Sequence, residues 1–207
     1  MSTLNFEDSK IRFDLQIIAS WVEPNCRVLD LGCGEGDLLL YLKNQKNVEG
    51  TGIENDEEKV ALCIDKGLRV LQGDINLEVQ DYPDQAFDYV ILSQTLQQVY
   101  EPDGLIRSIL RIGRKSVVSF PNFSHWLVRL QLLLSGYAPV TRQLPYQWYN
   151  TPNIRVITLK DFRRFCREIG VRIHRETAVS VQNRKGKSVH FMTNLRANYG
   201  IFLIGKS

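Results

Sequence analysis

The chain has 207 residues, a formal net charge of +3 and four cysteines, a length that predicts one α/β domain over residues 1–207. It has no apolar run long enough to cross a bilayer and no secretory signal pattern near Met1, which excludes a membrane-spanning segment and favours a cytoplasmic protein. The cysteines lack CxxC spacing and a histidine partner at metal-ligand spacing, so we predict reduced thiols and no metal site.

Charge divides the chain into an acidic half and a basic half. Residues 1–110 hold 20 acidic and 9 basic side chains, a net charge of −11, whereas residues 111–207 hold 3 and 17, a net charge of +14. In a doubly wound sheet the second half would form the substrate side, so its charge is compatible with an anionic substrate, a nucleic acid or an acidic partner surface. Alternatively, these cations only cover solvated faces of a helix and a strand.

In chain order, a helical apolar stripe over Ile11–Val22 precedes a strand and a glycine-rich turn, RVLDLGCGEGD, over Arg27–Asp37. The apolar run predicts a buried parallel strand that ends near Asp30. The turn contains three alternating glycines, Gly32, Gly34 and Gly36. Glycines at this spacing let the backbone turn tightly and approach a ligand, but the GxGxG pattern differs from the GxGxxG of dinucleotide sites.

Three more strand patterns end in polar residues. The strand over Val48–Ile53 ends in Glu54, whose carboxylate can accept both hydroxyls of a ribose. The next strand pattern leads to Asp74 and Ile75, where a carboxylate and an apolar side chain could bracket an adenine ring. The fourth pattern covers Phe87–Val99, an apolar strand followed by polar residues.

The remaining elements complete an α/β pattern with seven predicted strands. Helices are predicted over Asp56–Lys66, Pro102–Ile112 and Thr158–Ile169. Further strands are predicted over Ser116–Phe120, Val171–Val181 and Tyr199–Ile204, and Gln182–Ser188 is predicted to be a loop or hairpin tip.

A segment over about residues 121–153 interrupts this pattern after the fifth strand. It is too long for a simple connection between a strand and a helix. It begins with an apolar helical stretch over Trp126–Leu134 and continues with prolines and aromatic residues. Aromatic side chains on a loop make good pocket walls or interface anchors. We interpret the insertion as a lid, a substrate pocket or a partner-docking surface, or as a segment that packs its own aromatics against the sheet.

The four strand ends, in this order, resemble those of the class I S-adenosylmethionine (SAM) dependent methyltransferases. Five longer segments look like the family of the methionine biosynthesis protein MetW: VLDLGCGEGDLL, LSQTLQQV, SFPNFSHW, LPYQWYNTPNIR and DFRRFC. The resemblance implies a cytoplasmic bacterial protein with a Rossmann-like α/β fold, a mostly parallel seven-stranded sheet with helices on both faces. It further implies SAM or S-adenosyl-L-homocysteine as the cofactor, and the homoserine O-acyltransferase MetX as a partner whose activity the protein supports.

The same resemblance assigns roles at the first two strand ends. The three loop glycines would let the backbone meet the methionine and ribose portions of the cofactor. Asp30 would orient the methionyl ammonium through water. Glu54 would hold the ribose hydroxyls, and Asn55 would lie beside the adenine.

At the third and fourth strand ends, the resemblance places the adenine and the methionine end. Asp74 would accept a hydrogen bond from the adenine amino group, and Ile75 would pack on the ring. Ser93 and Gln94 would border the methionine end. For Asp74, the alternative is a carboxylate that only caps a turn.

No residue is clearly marked for catalysis of methyl transfer. The reaction needs an in-line nucleophile, and a general base only when that nucleophile arrives protonated. Many small-molecule relatives have a histidine where this chain has Gln98. The remaining candidates are His125, which could equally be a loop histidine, and Tyr146 in the insertion. The absence of a [DN]PPY or Pro-Cys motif disfavours nitrogen methylation of amides or bases and methylation of cytosine C5.

Three functions are compatible with the sequence, and only two of them require an enzyme. The chain could bind SAM and act with homoserine O-acyltransferase, or it could be a SAM-dependent methyltransferase for a small anionic metabolite. A methyltransferase for RNA is disfavoured because the basic residues are scattered rather than interleaved with aromatics, so nucleic acid is not the expected partner. The sequence does not indicate the oligomeric state.

Overall fold

The computed structural model describes residues 11–182 and 185–206. The strands are β1 (Arg27–Leu31), β2 (Glu49–Glu54), β3 (Arg69–Gln72), β4 (Phe87–Ser93), β5 (Gly113–Pro121), β6 (Val171–Gln182), β7 (Lys185–Val189) and β8 (Tyr199–Lys206). The helices are α1 (Phe13–Trp21), α2 (Asp37–Lys46), α3 (Glu57–Asp65), α4 (Ile75–Glu78), α5 (Pro102–Ile112), α6 (Trp126–Ser135), α7 (Leu159–Glu168) and α8 (Thr193–Arg196). A 3₁₀ turn lies at Leu96–Gln98. In the described residues, no helix is long and apolar enough to cross a membrane.

The described strands form one sheet in the order β3-β2-β1-β4-β5-β8-β6-β7. The first five strands pair in parallel, whereas β8 is antiparallel to both β5 and β6. The chain leaves β1 towards β2 and β3 on one side and later returns to β4 and β5 on the other. This reversal places a crevice at the carboxyl ends of β1 and β4, which is where open α/β sheets bind ligands.

Helices cover both faces of the sheet, so its central strands are buried on both sides. On one face, α5 and α7 pack on a cluster that includes Leu29, Val90 and Phe202. On the other face, α1, α2 and Cys63 of α3 pack on a second cluster that includes Val28 and Ile91. The mostly parallel sheet with helices on both faces therefore confirms the predicted fold class.

The sheet contains eight described strands rather than the predicted seven, because residues 185–188 of the segment predicted to be a loop or hairpin tip form most of β7. Its pairing with β6 is antiparallel, with Val189 opposite Ala178, and residues 183–184 of the predicted tip lie outside the described residues. The sequence KGKSV has no apolar alternation, but an edge strand needs only one paired neighbour. Gly186 also leaves room for α1, since a Cβ on it would lie 2.0 Å from Cδ1 of Phe13.

The insertion follows β5, as predicted, and its helical stretch forms α6. Between α6 and α7, the fully described residues 136–158 contain no helix or strand apart from an isolated bridge between Thr141 and Leu144. Hydrogen bonds instead tie this stretch to the 3₁₀ turn. The backbone N–H groups of Ile154 and Arg155 both donate to the carbonyl oxygen of Gln97, at 2.9 and 3.0 Å.

Candidate functional site

A cavity of about 720 Å³ lies at the carboxyl ends of β1, β2 and β4. This volume is in the range of small-molecule and cofactor sites, about 300–1,000 Å³. Nine of the ten residues predicted to bind the cofactor line it: Asp30, Gly32, Gly34, Glu54, Asn55, Asp74, Ile75, Ser93 and Gln94. Residues far apart in the sequence are brought together here because the carboxyl ends of parallel strands share one edge of the sheet.

The tenth residue, Gly36, does not line the cavity. It precedes α2 with a φ of +78°, in the left-handed region that glycine adopts without strain. A Cβ at this position would lie 2.4 Å from Cδ1 of Leu68 and 2.9 Å from Sγ of Cys63. Gly36 therefore permits close packing of the loop on α3 and β3 behind the cavity.

The glycine-rich loop is bound across the ends of two strands. The N–H groups of Gly32 and Cys33 donate to the carbonyl oxygen of Ile53 at 2.8 and 3.2 Å. Gly32 has a φ of +74°, and a Cβ on it would lie 2.6 Å from Oγ1 of Thr95. Glycine is required here because the loop must turn and pass close to the segment after β4.

The Glu54 carboxylate fixes this loop from the end of β2. It is 7% exposed, and its Oε2 accepts the N–H of Gly34 at 2.8 Å. Its Oε1 accepts the N–H groups of Asn55 and Asp56 at 3.1 and 3.2 Å. A carboxylate oxygen can accept more than one hydrogen bond, so this held group can still accept hydroxyl donors from the cavity.

The Asp30 carboxylate is the least satisfied group at the site. It is 3% exposed, and its buried Oδ1 has no hydrogen-bond partner among the described residues. Burial raises the pKa of Asp30 to about 7, the negative charge of Glu54 adds to this, and Arg12 opposes it. An unpartnered buried acceptor in a cavity is suited to a ligand that brings a donor, above all a cationic one.

A second carboxylate organises the side of the cavity where α1 begins. Asp14 is buried and accepts Nε and Nη2 of Arg12 at 3.3 and 3.0 Å. It also accepts Nε2 of Gln94 at 2.7 Å. Gln94 has a φ of +56°, and its N–H donates to the carbonyl oxygen of Ser119. Arg12 and Gln94 both line the cavity, so Asp14 orients two polar groups towards a ligand.

At the other end of the cavity, Asp74 caps α4. Its Oδ1 accepts both the backbone N–H and the side-chain Nδ2 of Asn76, each at 2.8 Å. The capping role considered for Asp74 is thus present, and the residue still borders the cavity beside Ile75.

Comparison with known proteins places this chain in a family. Residues 12–204 match the family model described as Methionine biosynthesis protein MetW. The chain belongs to the MetW family. It is 32% identical over 178 residues to the bifunctional methionine biosynthesis protein MetXA/MetW of Rhodopirellula baltica. The alignment covers 82% of this chain and 29% of that protein.

More distant relatives extend the likeness to methyltransferases. The ubiquinone/menaquinone biosynthesis C-methyltransferase UbiE of Xanthomonas oryzae is 29% identical over 116 residues, 50% of this chain and 46% of that protein. The MetW-family chain thus spans less than half the length of either curated relative. A crystal structure of a SAM-dependent methyltransferase from Thermotoga maritima matches with a TM-score of 0.68, covering 94% of this chain and 87% of that one. At 16% identity, this match shows the fold alone.

The structure does not place the two candidate catalytic residues, His125 and Tyr146, in the cavity at the ends of β1, β2 and β4. His125 caps α6, where its Nδ1 accepts the N–H of Leu127 at 3.3 Å, and burial lowers its pKa. It lines a separate cavity, which lies beside α6. Tyr146 is 47% exposed and lines neither of these two cavities. Gln98, at the position where many small-molecule methyltransferases have a histidine, does border the cavity at the ends of β1, β2 and β4.

Among the residues that line or organise the cavity and that sequence reasoning missed are Arg12, Asp14, Lys59, Asn76 and Thr95. One signal was available, because a carboxylate at Asp14 interrupts an otherwise apolar helical stripe. The others come from elements whose packing on the sheet cannot be read from local spacing.

Proposed function

We propose that this MetW-family chain binds SAM in the cavity at the ends of β1, β2 and β4 and acts with a MetX-type homoserine O-acyltransferase in methionine biosynthesis. The observation that supports this partner is the bifunctional MetXA/MetW relative. That protein is 32% identical to this chain over an alignment that covers 82% of it. Two activities joined in one chain are held at high effective concentration. A separate MetW-family chain would reach the same arrangement by binding the acyltransferase.

The charges of the cavity support SAM as its ligand. Five carboxylate residues line it, Asp30, Glu35, Asp37, Glu54 and Asp74, against two cationic residues, Arg12 and Lys59. A ligand that carries a sulfonium and an ammonium is favoured in such a field. The cavity residues also supply acceptors for the ammonium, the ribose hydroxyls and the adenine amino group of SAM, and a donor, Arg12, for its carboxylate.

In this proposal, each residue has one task. Asp30 Oδ1, which lacks a partner, would accept from the methionyl ammonium. The Arg12 guanidinium, held by Asp14, would pair with the carboxylate of the ligand. Glu54 would hold the ribose hydroxyls, and Asp74 with Ile75 would bracket the adenine. When bound, SAM would supply an electrophilic methyl group, and Ser93 and Gln94 would border its methionine end.

We propose that the main function of the chain is to act with the acyltransferase rather than to transfer a methyl group. His125 and Tyr146 lie outside the cofactor cavity. Cys33, in the loop, has its Sγ packed where a Cβ on Gly52 would lie, and burial raises the pKa of this thiol. The His125 ring and the Cys33 thiol are therefore not placed to activate an acceptor at the cavity.

The test uses the purified chain, the acyltransferase of the same organism, and SAM. Calorimetry would measure SAM binding to the chain alone, and an acyl-transfer assay would measure the acyltransferase with and without the chain. We expect SAM to bind the chain. We also expect the acyltransferase to bind the chain and its rate of acyl transfer to change. SAM binding without any association or rate change would contradict the accessory function and direct the search to a methyl acceptor.

A further inference from the structure

Helix α6 is apolar on nearly every side, although it lies on the surface. Only Val128 of its ten residues is both apolar and buried. Six large apolar side chains of this helix are exposed: Trp126, Leu127, Leu130, Leu132, Leu133 and Leu134. Leu133 and Leu134 are 80% and 76% exposed. A contiguous run of exposed apolar side chains on one helix marks an interaction site rather than an ordinary solvated surface.

A groove of about 740 Å³ runs beside this helix, between α6, residues 140–143 and the edge of the sheet at β6 and β7. We call it the α6 groove. Leu127, Leu130 and Leu134 form its apolar wall. Three cations, Arg142, Lys187 and Arg196, also line it, and the described lining residues include no carboxylate. Within the described chain, Lys187 and Arg196 form no ion pair.

The α6 groove lies outside the cofactor site. It shares no lining residue with the cofactor cavity, and it is built entirely from the basic half of the chain, residues 111–207, with its net charge of +14. Its chemistry therefore fits a ligand that is both apolar and acidic, and its length along a ten-residue helix fits a protein surface.

We infer that α6 and the α6 groove form the docking surface for the MetX-type acyltransferase, which would present apolar side chains flanked by carboxylates. This inference rests on the proposed function. In the MetXA/MetW relative the two parts share one chain, but a separate chain must hold its partner by contacts alone. A stable contact buries about 800 Å² on each partner, more than scattered surface side chains supply. The leucines of α6 offer such an apolar centre, and the cations of the α6 groove offer a charged rim.

A second copy of this chain fits the same surface less well. In a twofold dimer built on the α6 groove, the cations Arg142, Lys187 and Arg196 of both copies would face each other. Like charges in contact oppose association, whereas an acidic partner would be attracted to the same cations.

The test compares surface variants in calorimetry with the acyltransferase. Leu134→Glu places a carboxylate in the apolar wall, and we expect it to weaken the complex by at least about tenfold. The matched control is Ile64→Glu on α3, another exposed apolar residue, 59% exposed, at the opposite end of the sheet. The control should bind the acyltransferase as the wild type does, and both variants should keep the wild-type SAM affinity and unfolding midpoint.

A charge-reversal pair tests the groove independently of the helix. The double variant Lys187→Glu/Arg196→Glu should weaken the complex and reduce its dependence on salt, because two attractive contacts become repulsive. The control is Arg172→Glu, eight residues before Ser180 on β6 and therefore about 26 Å from the groove at ~3.3 Å per residue.

The outcomes separate the docking surface from the proposed function. Loss of binding in the surface variants, with binding kept in the controls, supports the inference. If the wild type and all variants bind equally, this surface is wrong while the acyltransferase remains the partner. If the wild type does not bind the acyltransferase at all, both proposals are overturned. If the surface variants change the sedimentation of the chain alone but bind the acyltransferase as the wild type does, the α6 groove binds a second copy of the chain and the inference is overturned.

Discussion

The Glu54 carboxylate connects the end of β2 with the glycine-rich loop, which makes its charge a direct test of the cofactor site. In Glu54→Gln, an amide NH₂ must face one of the backbone donors that the carboxylate now accepts, Gly34, Asn55 or Asp56. A hydrogen bond to a charged group contributes about 1.5–3 kcal/mol, so we expect SAM affinity to fall by about 10- to 150-fold. Calorimetry measures this effect, with Glu57→Gln on α3 as the control. Equal SAM affinity in the wild type and Glu54→Gln would exclude Glu54 from binding.

The Asp30 carboxylate predicts a pH dependence of stability. Its pKa is raised from 3.8 to about 7 in the folded chain, so the folded state holds a proton that the unfolded state has lost. The free energy of unfolding should therefore fall as pH rises from about 4 to 7, by on the order of 4 kcal/mol. Urea unfolding across this range should show the fall in the wild type and in the exposed control Asp65→Asn. It should be much smaller in Asp30→Asn, and an identical pH profile in that variant would contradict the prediction.

At the scale of elements, the contact between β7 and α1 is one that sequence patterns did not predict. Gly186→Val would place side-chain atoms where the Phe13 ring lies, because even a Cβ there would be 2.0 Å from Cδ1. We expect a loss of about 1–3 kcal/mol in the free energy of unfolding, as for other overpacked sites. Ser188→Val, at an exposed position of the same strand, should change it by less than about 0.5 kcal/mol. Urea unfolding of both variants measures the difference, and equal stability would show that Phe13 can move away freely.

The same elements show what could be predicted from the sequence and what could not. β1 was predictable because the apolar residues on both sides of Asp30 mark a buried strand, and β2 because Glu54 directly follows Ile53 at the strand end. Nine of the residues predicted at such strand ends line one cavity, because parallel strands finish at one edge of the sheet. β7 was not predictable, since a polar edge strand carries no alternation. The pairing of Asp14 with Gln94 joins residues 80 positions apart, and only the packing of α1 brings them together.

At the scale of the whole molecule, the stretch over residues 136–158, between α6 and α7, connects the cavity at the strand ends with the proposed docking surface. Gln98, Val99 and Tyr100 line the cavity. The side chain of Arg155, in this stretch, donates to the carbonyl oxygens of Val99 and Tyr100. Its backbone N–H and that of Ile154 bind the carbonyl oxygen of Gln97. A ligand that orders this cavity wall would therefore also order the stretch that follows α6.

This link predicts that SAM and the acyltransferase strengthen each other's binding. Coupling between two sites is reciprocal, so SAM should raise acyltransferase affinity by the same factor as the acyltransferase raises SAM affinity, typically about 5- to 150-fold. Arg155→Ala removes the side-chain part of this link and should lower the factor while each ligand still binds alone, whereas Arg164→Ala on α7 should leave the coupling unchanged. Calorimetric titrations in both orders measure the factor. Coupling that persists unchanged in Arg155→Ala would route it through another part of the molecule, and no coupling in the wild type would make the two sites independent.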